Sequence, residues 1–245
     1  MKKDNDKIVQ RILNNYKFDD KSCRDFMEII KPIYLHKEFQ RRFSNEFLHH
    51  GNITLGEHII EDAVVTYKMA LKYLKKYHNN SFDLKIAVVI AMLHDLYNVP
   101  WQNNKLAKTY KFLNAHGFRH PIEAVINAFT WYPSLFENMD DARKIIDGIV
   151  HHMFPFPVRV FKSGDKNLLE LKNYELLDSM PIYIKEILAQ STNRGKVGKL
   201  SFARSKYKEG KIMSKADLRV SMKQIKNLSS ATALITGKNK KLLKK

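Results

Sequence analysis

The chain predicts an all-α domain, and three observations carry that reading. Apolar residues recur at helical spacing along its long segments. Prolines and capping residues punctuate those segments where helices would start and stop. No alternating apolar run of useful strand length lies between them. With 245 residues, 44 % of them hydrophobic, the chain can bury a substantial core without disulfide or metal staples.

The elements follow in order. "TLGEHIIEDAVVTYKMALKYLKKY" places Ile59, Ala63, Tyr67, Ala70, Leu71 and Leu74 at helical spacing, and Thr54 with Glu57 forms a capping box at its start. "DLKIAVVIAML" is apolar almost all round. Val88, Val89 and Ile90 suit a buried strand, but the length of the run and its helical neighbours favour a buried central helix, which Pro100 stops. Pro121 occupies the first turn of a helix through "PIEAVINAFTWY", which Pro133 closes. Asp140 and Asp141 suit the positive N-terminus of a helix through "DDARKIIDGIVHH", which ends before Pro155 and Pro157. Pro181 opens "PIYIKEILAQ", and Ser214 caps "KADLRVSMKQIKN". No glycine-rich phosphate loop and no internal repeat is present. The organisation expected is an N-terminal helical extension over 1–44, a main domain over 45–228 and a basic tail over 229–245. A basic loop or hairpin at 191–213 precedes the last long helix.

The net charge of +18 sets up a field that favours polyanions such as nucleotides, nucleic acid or acidic headgroups, unless it is only a lysine-rich solvated surface. Its density peaks over 191–215, where Arg194, Lys196, Lys199, Arg204, Lys206, Lys208, Lys211 and Lys215 face a single acid, Glu209. The single cysteine, Cys23, excludes an internal disulfide framework and suits a reducing compartment. "MKKDNDKIVQ" lacks the apolar stretch of a secretory signal, and no run reaches the ~18–20 apolar residues of a membrane span, so a cytoplasmic protein is expected.

Residues able to ligate a metal are spread along the helices. They are His58, His94 with Asp95, His120, His151 with His152, and Asp217. Most lie near helix ends, where antiparallel helices bring side chains to one cavity, and imidazole with carboxylate suits Mn, Fe, Zn or Mg. Each has a plainer reading. His58 serves as a partly exposed helix residue, and His120 as an N-cap before Pro121. His151 and His152 complement a helix C-terminus, and Asp217 completes a capping box with Ser214. Asp62, one turn after His58, reads as a supporting or surface residue rather than a ligand. His49 and His50 compete with His58 for the first position.

The order of these residues resembles the HD superfamily of metal-dependent phosphohydrolases, whose signature is H…HD…D on an all-α scaffold. Binuclear members add a His and then a His or His-His pair before the final Asp. The likeness covers roughly residues 45 to 225, and "HHGNITLGEHI", "MLHD", "HGFRHPIEA" and "IVHHMFPFPVR" also look like a bacterial HD hydrolase group. It implies an HD-type helical bundle in which His58, His94, Asp95 and Asp217 hold one divalent ion. Asp95 would bridge to a second ion, held also by His120 and one or both of His151 and His152, with a hydroxide between the ions as nucleophile. His94 and Asp95 would then be the catalytic centre. The chain departs from the family in two places. The D-x-G-x-G-Y-P run of HD-GYP phosphodiesterases is replaced by "MFPFPVR", and Asn98 stands where many HD enzymes carry lysine.

The function expected is hydrolysis of a phosphoester in a phosphorylated small molecule or nucleotide, by a phosphodiesterase or nucleotidase using two divalent ions. Arg194, Lys196, Lys199, Arg204 and Lys206, together with Arg119 and His116 beside His120, are the candidate phosphate contacts, with the basic stretch hung over the mouth of the metal cavity. Phe202 or Tyr207 would stack a base. The alternatives are a nucleotide- or nucleic-acid-binding module on a degenerate HD scaffold, and a single-metal enzyme acting on deoxynucleotides or guanosine polyphosphates. Physiological substrate and oligomeric state are not encoded in the motif.

Overall fold

The computed structural model describes residues 2–78, 81–98, 116–162 and 171–235. It is an all-α bundle, with ten helices and only short strand pairs among those residues. The helices are α1 (Lys2–Asn15), α2 (Asp20–Tyr34), α3 (Lys37–Arg41), α4 (Leu55–Tyr77), α5 (Leu84–Leu93), α6 (His116–Trp131), α7 (Met139–Val150), α8 (Leu171–Ser179), α9 (Ile182–Asn193) and α10 (Lys208–Ile235). A 3-10 turn at Pro133–Phe136 joins α6 to α7.

The central element is α5, whose residues from Ile86 to Leu93 are all buried. It lies against α2, α4, α7 and α10, which is why its sequence is apolar on every side. Asp83 caps its start, accepting from the Ile86 N–H at 3.0 Å. Each aliphatic side chain buried there stabilises the fold by about 1.5–3 kcal/mol. Helices α1 to α3 contribute Val9, Leu13, Phe26, Ile30 and Phe39 to the same hydrophobic core.

Two close approaches set the spacing of the bundle. A Cβ on Gly148 of α7 would come within 2.6 Å of Ile90 Cδ1 on α5. One on Gly210 of α10 would come within 2.8 Å of the Gly148 Cα. Helices α7 and α10 therefore meet at near backbone-to-backbone distance, with the Ile90 side chain of α5 packed on Gly148.

The helix at 55–77 starts as expected: Thr54 Oγ1 accepts from the Glu57 N–H, and Glu57 Oε2 accepts from the Thr54 N–H at 3.1 Å. Two other starts differ from expectation. Helix α6 begins at His116, five residues before Pro121, so Pro121 lies inside it and His120 is a helical residue rather than a cap. Helix α10 begins at Lys208, so Ser214 and Asp217 lie within it rather than forming a cap. Buried Glu209 fixes that earlier start, accepting from the Asp83 N–H at 3.0 Å and pairing with Lys144 at 3.4 Å. Pro100 lies outside the described residues, and α5 ends at Leu93.

The basic segment is a hairpin. Strands β4 (Lys196–Val197) and β5 (Leu200–Ser201) pair antiparallel across a turn at Gly198, whose φ of 60° is left-handed and suits glycine. Strand β5 also pairs with β3 (Val158–Arg159). A second small hairpin, β1 (Leu48–His50) with β2 (Ile53–Thr54), leads into α4. No helix among the described residues is long and apolar enough to cross a membrane.

Candidate metal centre

The site is assembled from helix ends and one helix interior. His58 and Asp62 stand one turn apart on α4 and are both fully buried. His94 caps the end of α5, and Asp95 follows it. His120 comes from α6, His152 from the turn after α7, and Asp217 from the third turn of α10. The chain leaving α5 is pinned from two sides. Buried Arg42 donates to the Tyr97 carbonyl at 2.7 Å, and Asn127 of α6 donates to the Leu96 carbonyl at 2.5 Å. These contacts fix the turn that presents Asp95.

Asp95 is the hub. Its Oδ2 lies 3.8 Å from His58 Nε2 and 3.7 Å from His94 Nε2. Its Oδ1 faces a different pair, His120 Nε2 at 3.1 Å and His152 Nε2 at 3.6 Å. His58 Nε2 also lies 3.0 Å from Asp62 Oδ2 and 3.7 Å from Asp217 Oδ1. His94 Nε2 lies 3.4 Å from Asp62 Oδ2. Donors on a common ion at about 2.0–2.2 Å stand roughly 3.0–3.5 Å from one another, so these separations fall at or just above that range.

The backbone orients the rings. His94, His120 and His152 place Nδ1 at 2.7, 3.2 and 2.7 Å from the carbonyls of Ala91, His116 and Ile149. A carbonyl only accepts, so each Nδ1 carries a proton and each Nε2 is turned into the cluster, where Asp95 favours a second proton on His120 Nε2 at 3.1 Å. Gln224 does the same for His58: its Nε2 donates to Glu61 at 2.8 Å, which leaves Oε1 to accept from His58 Nδ1 at 3.0 Å. His120 and His152 Nε2 stand 3.1 Å apart, close enough to share a proton or a cation.

Electrostatics tell the same story. Burial pushes the Asp62 carboxyl well above its ordinary range, and the nearby charges of Asp217 and Asp95 add to it. Asp217 rises to about 6, chiefly through burial and then through Asp95, against the pull of His94. Burial would raise Asp95 too, but His94, His120 and His49 hold it well below the usual carboxylate range. Burial and the neighbouring His94 and His120 push His152 well down, while Asp95 lifts His120 despite its burial. Three carboxyl groups and several imidazoles are enclosed together, a setting that the charge of a divalent ion would stabilise. Their donor atoms form groups within 4.8 Å: His58, Asp62, His94 and Asp217; His49, His58 and Asp95; His94, Asp95 and His152. The buried cluster is therefore suited to hold metal.

Of the residues singled out in the sequence, His58, His94, Asp95, His120, His152 and Asp217 are brought together, and His151 is not. The His151 ring turns away, with Nε2 3.2 Å from the Ser191 carbonyl and 3.9 Å from Asp147. Sequence reasoning passed over Asp62 as a donor, although its i, i+4 relation to His58 was visible. It also passed over Arg42, Asn127 and Gln224, for which no local signal exists.

The phosphate candidates are scattered. Arg194 pairs with Asp147 Oδ1 and donates to the Arg204 carbonyl at 3.2 Å. The Lys206 N–H and the Ser205 hydroxyl also reach Asp147, at 2.7 and 2.8 Å. The hairpin is thus fastened to the His151 side of α7. Lys196, Lys199, Arg204, Lys206 and Phe202 are exposed, and the Arg204 guanidinium lies 5.7 Å from the Phe154 ring centre. Arg119 is buried, and His116 stacks on His120 with burial pushing its pKa down to about 3. Comparison with family models, curated proteins and solved structures finds no match to the chain.

Proposed function

We propose that the chain is a metal-dependent phosphohydrolase of the HD type, cleaving a phosphoester of a nucleotide-like substrate at a two-ion centre. The single observation that carries this reading is the division of Asp95, whose Oδ2 faces His58, His94 and His49 while its Oδ1 faces His120 and His152. His58, His94 and Asp217 would hold the first ion, His120 and His152 the second, and Asp95 would serve both. Such a pair of ions supplies Lewis acidity and a coordinated water acidic enough to attack phosphorus near neutral pH. The protein's own part is positional. Nδ1 hydrogen bonds lock four rings, Arg42 and Asn127 hold the Asp95 turn, and burial keeps bulk water out. Substrate would approach beside His49 and Asp217, the less deeply buried members at 16 % and 13 % side-chain exposure. The exposed lysines of the β4–β5 hairpin would raise the local concentration of anions.

The deciding experiment measures metal content and hydrolysis together, on protein purified without chelator. About two transition-metal ions per chain, and turnover of bis(p-nitrophenyl) phosphate or a nucleotide, are expected of the natural sequence. Both should vanish in Asp95→Ala. Retained hydrolysis in that variant would sink the proposal.

A second reading, a nucleotide- or nucleic-acid-binding module, is favoured by Lys196, Lys199, Arg204 and Lys206 standing exposed beside Phe202. It requires binding that survives chelation and falls steeply with salt.

A further inference from the structure

Asp62 is the one carboxylate of the centre that the H…HD…H…HH…D order does not ask for. It is fully buried, and neither carboxylate oxygen makes a hydrogen bond. Burying a charge without donors is expensive, so a carboxylate kept for architecture is expected to be surrounded by them. Here the facing groups are His58 Nε2 at 3.0 Å, His94 Nε2 at 3.4 Å and the Asp217 carboxylate. In their neutral tautomers both imidazoles spend their one proton at Nδ1, on Gln224 and on the Ala91 carbonyl. Glu61 turns to the opposite side, accepting from Tyr16, Lys223 and Gln224. Thr66, one turn on, is buried with its hydroxyl making no hydrogen bond. The protein thus aims Asp62 at two imidazole Nε2 atoms and a second carboxylate, an arrangement in which Asp62 can be charged only with a cation among them.

We propose that Asp62 is a ligand of the first ion, which rests on the two-ion reading of the centre given above. The donor set is then His58 Nε2, His94 Nε2 and one oxygen each from Asp62, Asp95 and Asp217. Five donors, three of them carboxylate oxygens, exceed the four that tetrahedral zinc takes. They suit the higher coordination number and harder character of Mn(II) or Fe(II). Three carboxylates also offset three of the four charges that two divalent ions bring into a buried site. The inference therefore names both a residue and a preference: the first site selects manganese or iron over zinc.

The test uses the full chain stripped of metal and then titrated with Mn(II), following free Mn(II) by electron paramagnetic resonance and heat by calorimetry. Zn(II) is the competitor, and melting temperature is read on the metal-free form. Asp62→Asn keeps the shape and removes the charge; Asp62→Ala removes both. The expected result is two Mn(II) on the natural chain, one of them weakened by about 100-fold or more in either variant. The competition should move about 10-fold towards zinc, with the metal-free melting temperature close to that of the natural chain. Natural affinity and selectivity in both variants would overturn the assignment while leaving the two-ion reading intact. So would a metal-free variant that melts well below the natural chain or fails to fold, because Asp62 would then be an architectural partner of His58. Absence of any metal on the natural chain would overturn this inference and the two-ion reading together.

Discussion

Two buried carboxylates, Asp95 and Asp147, lie on either side of the end of α7 and are treated in opposite ways. Asp147 is met by the Arg194 guanidinium, the hydroxyls of Ser191 and Ser205 at 3.2 and 2.8 Å, and the Lys206 N–H at 2.7 Å. Asp95 is met by imidazole nitrogens alone among the described residues, chiefly of rings whose Nδ1 protons go to backbone carbonyls, with His120 Nε2 the nearest at 3.1 Å. The first carboxylate is satisfied by charged and hydrogen-bonding donors, and the second faces imidazole nitrogens. Adjacent His151 and His152 divide between the two centres, one on each. Burial and residue type are the same in both places, so the identity and direction of the neighbouring donors are what separate the two carboxylates.

The contrast can be broken by exchange of roles. Asp95→Ala should empty the centre and lower hydrolysis by more than about 10³-fold, read by mass-spectrometric metal analysis and turnover. Asp147→Ala should act on the fold instead. It leaves Arg194 partly buried without its partner, and about 3 kcal/mol of stability should disappear with or without metal, read by urea unfolding. Equal losses of metal in the two variants would erase the distinction. A finer pair is His152→Ala against His151→Ala. The first should remove one of two ions. The second should leave the metal content alone and cost about 1 kcal/mol of stability. The smallest effect is on pH. Carboxyls raised in the folded, metal-free chain, Asp217 to about 6 and Asp62 in the same direction, favour folding below the unfolded pKa of about 3.9. That contribution fades as pH rises through about 6, whereas ion binding needs the same groups deprotonated. The melting-temperature gap between metal-loaded and metal-free protein should therefore widen from pH 5 to pH 7.5. A constant gap would detach these carboxylates from the metal.

Much of this was legible in the sequence where local chemistry decides. The Thr54–Glu57 box starts α4, and the apolar run at 84–93 is the central helix. Where distant contacts decide, local signals misled. Pro121 prefers a first turn, but α6 begins earlier, with His116 stacked on His120 and edge-on to Tyr97. Ser214 looked like a cap, but the contacts of Glu209 with Asp83 and Lys144 set the start of α10. The order of the ligand candidates is a sequence property; their directions are not. Nothing in "IVHH" says which histidine faces Asp95, because neighbours in a tightening helix end differ by about 100° in direction. The same holds for Asp62, whose facing depends on where α5 and α10 cross α4.

The glycine contacts between α5, α7 and α10 bear on the site as well as on the bundle. Ile90, Gly148 and Gly210 touch just before the stretches that carry His94, His152 and Asp217. With no side chain to yield at Gly148 or Gly210, the donors cannot spread unless the helices themselves part. The spacing of the donor atoms is then a property of the helix packing rather than of any one side chain. A methyl group added at Gly148 would push against Ile90 and shift that spacing without touching a donor.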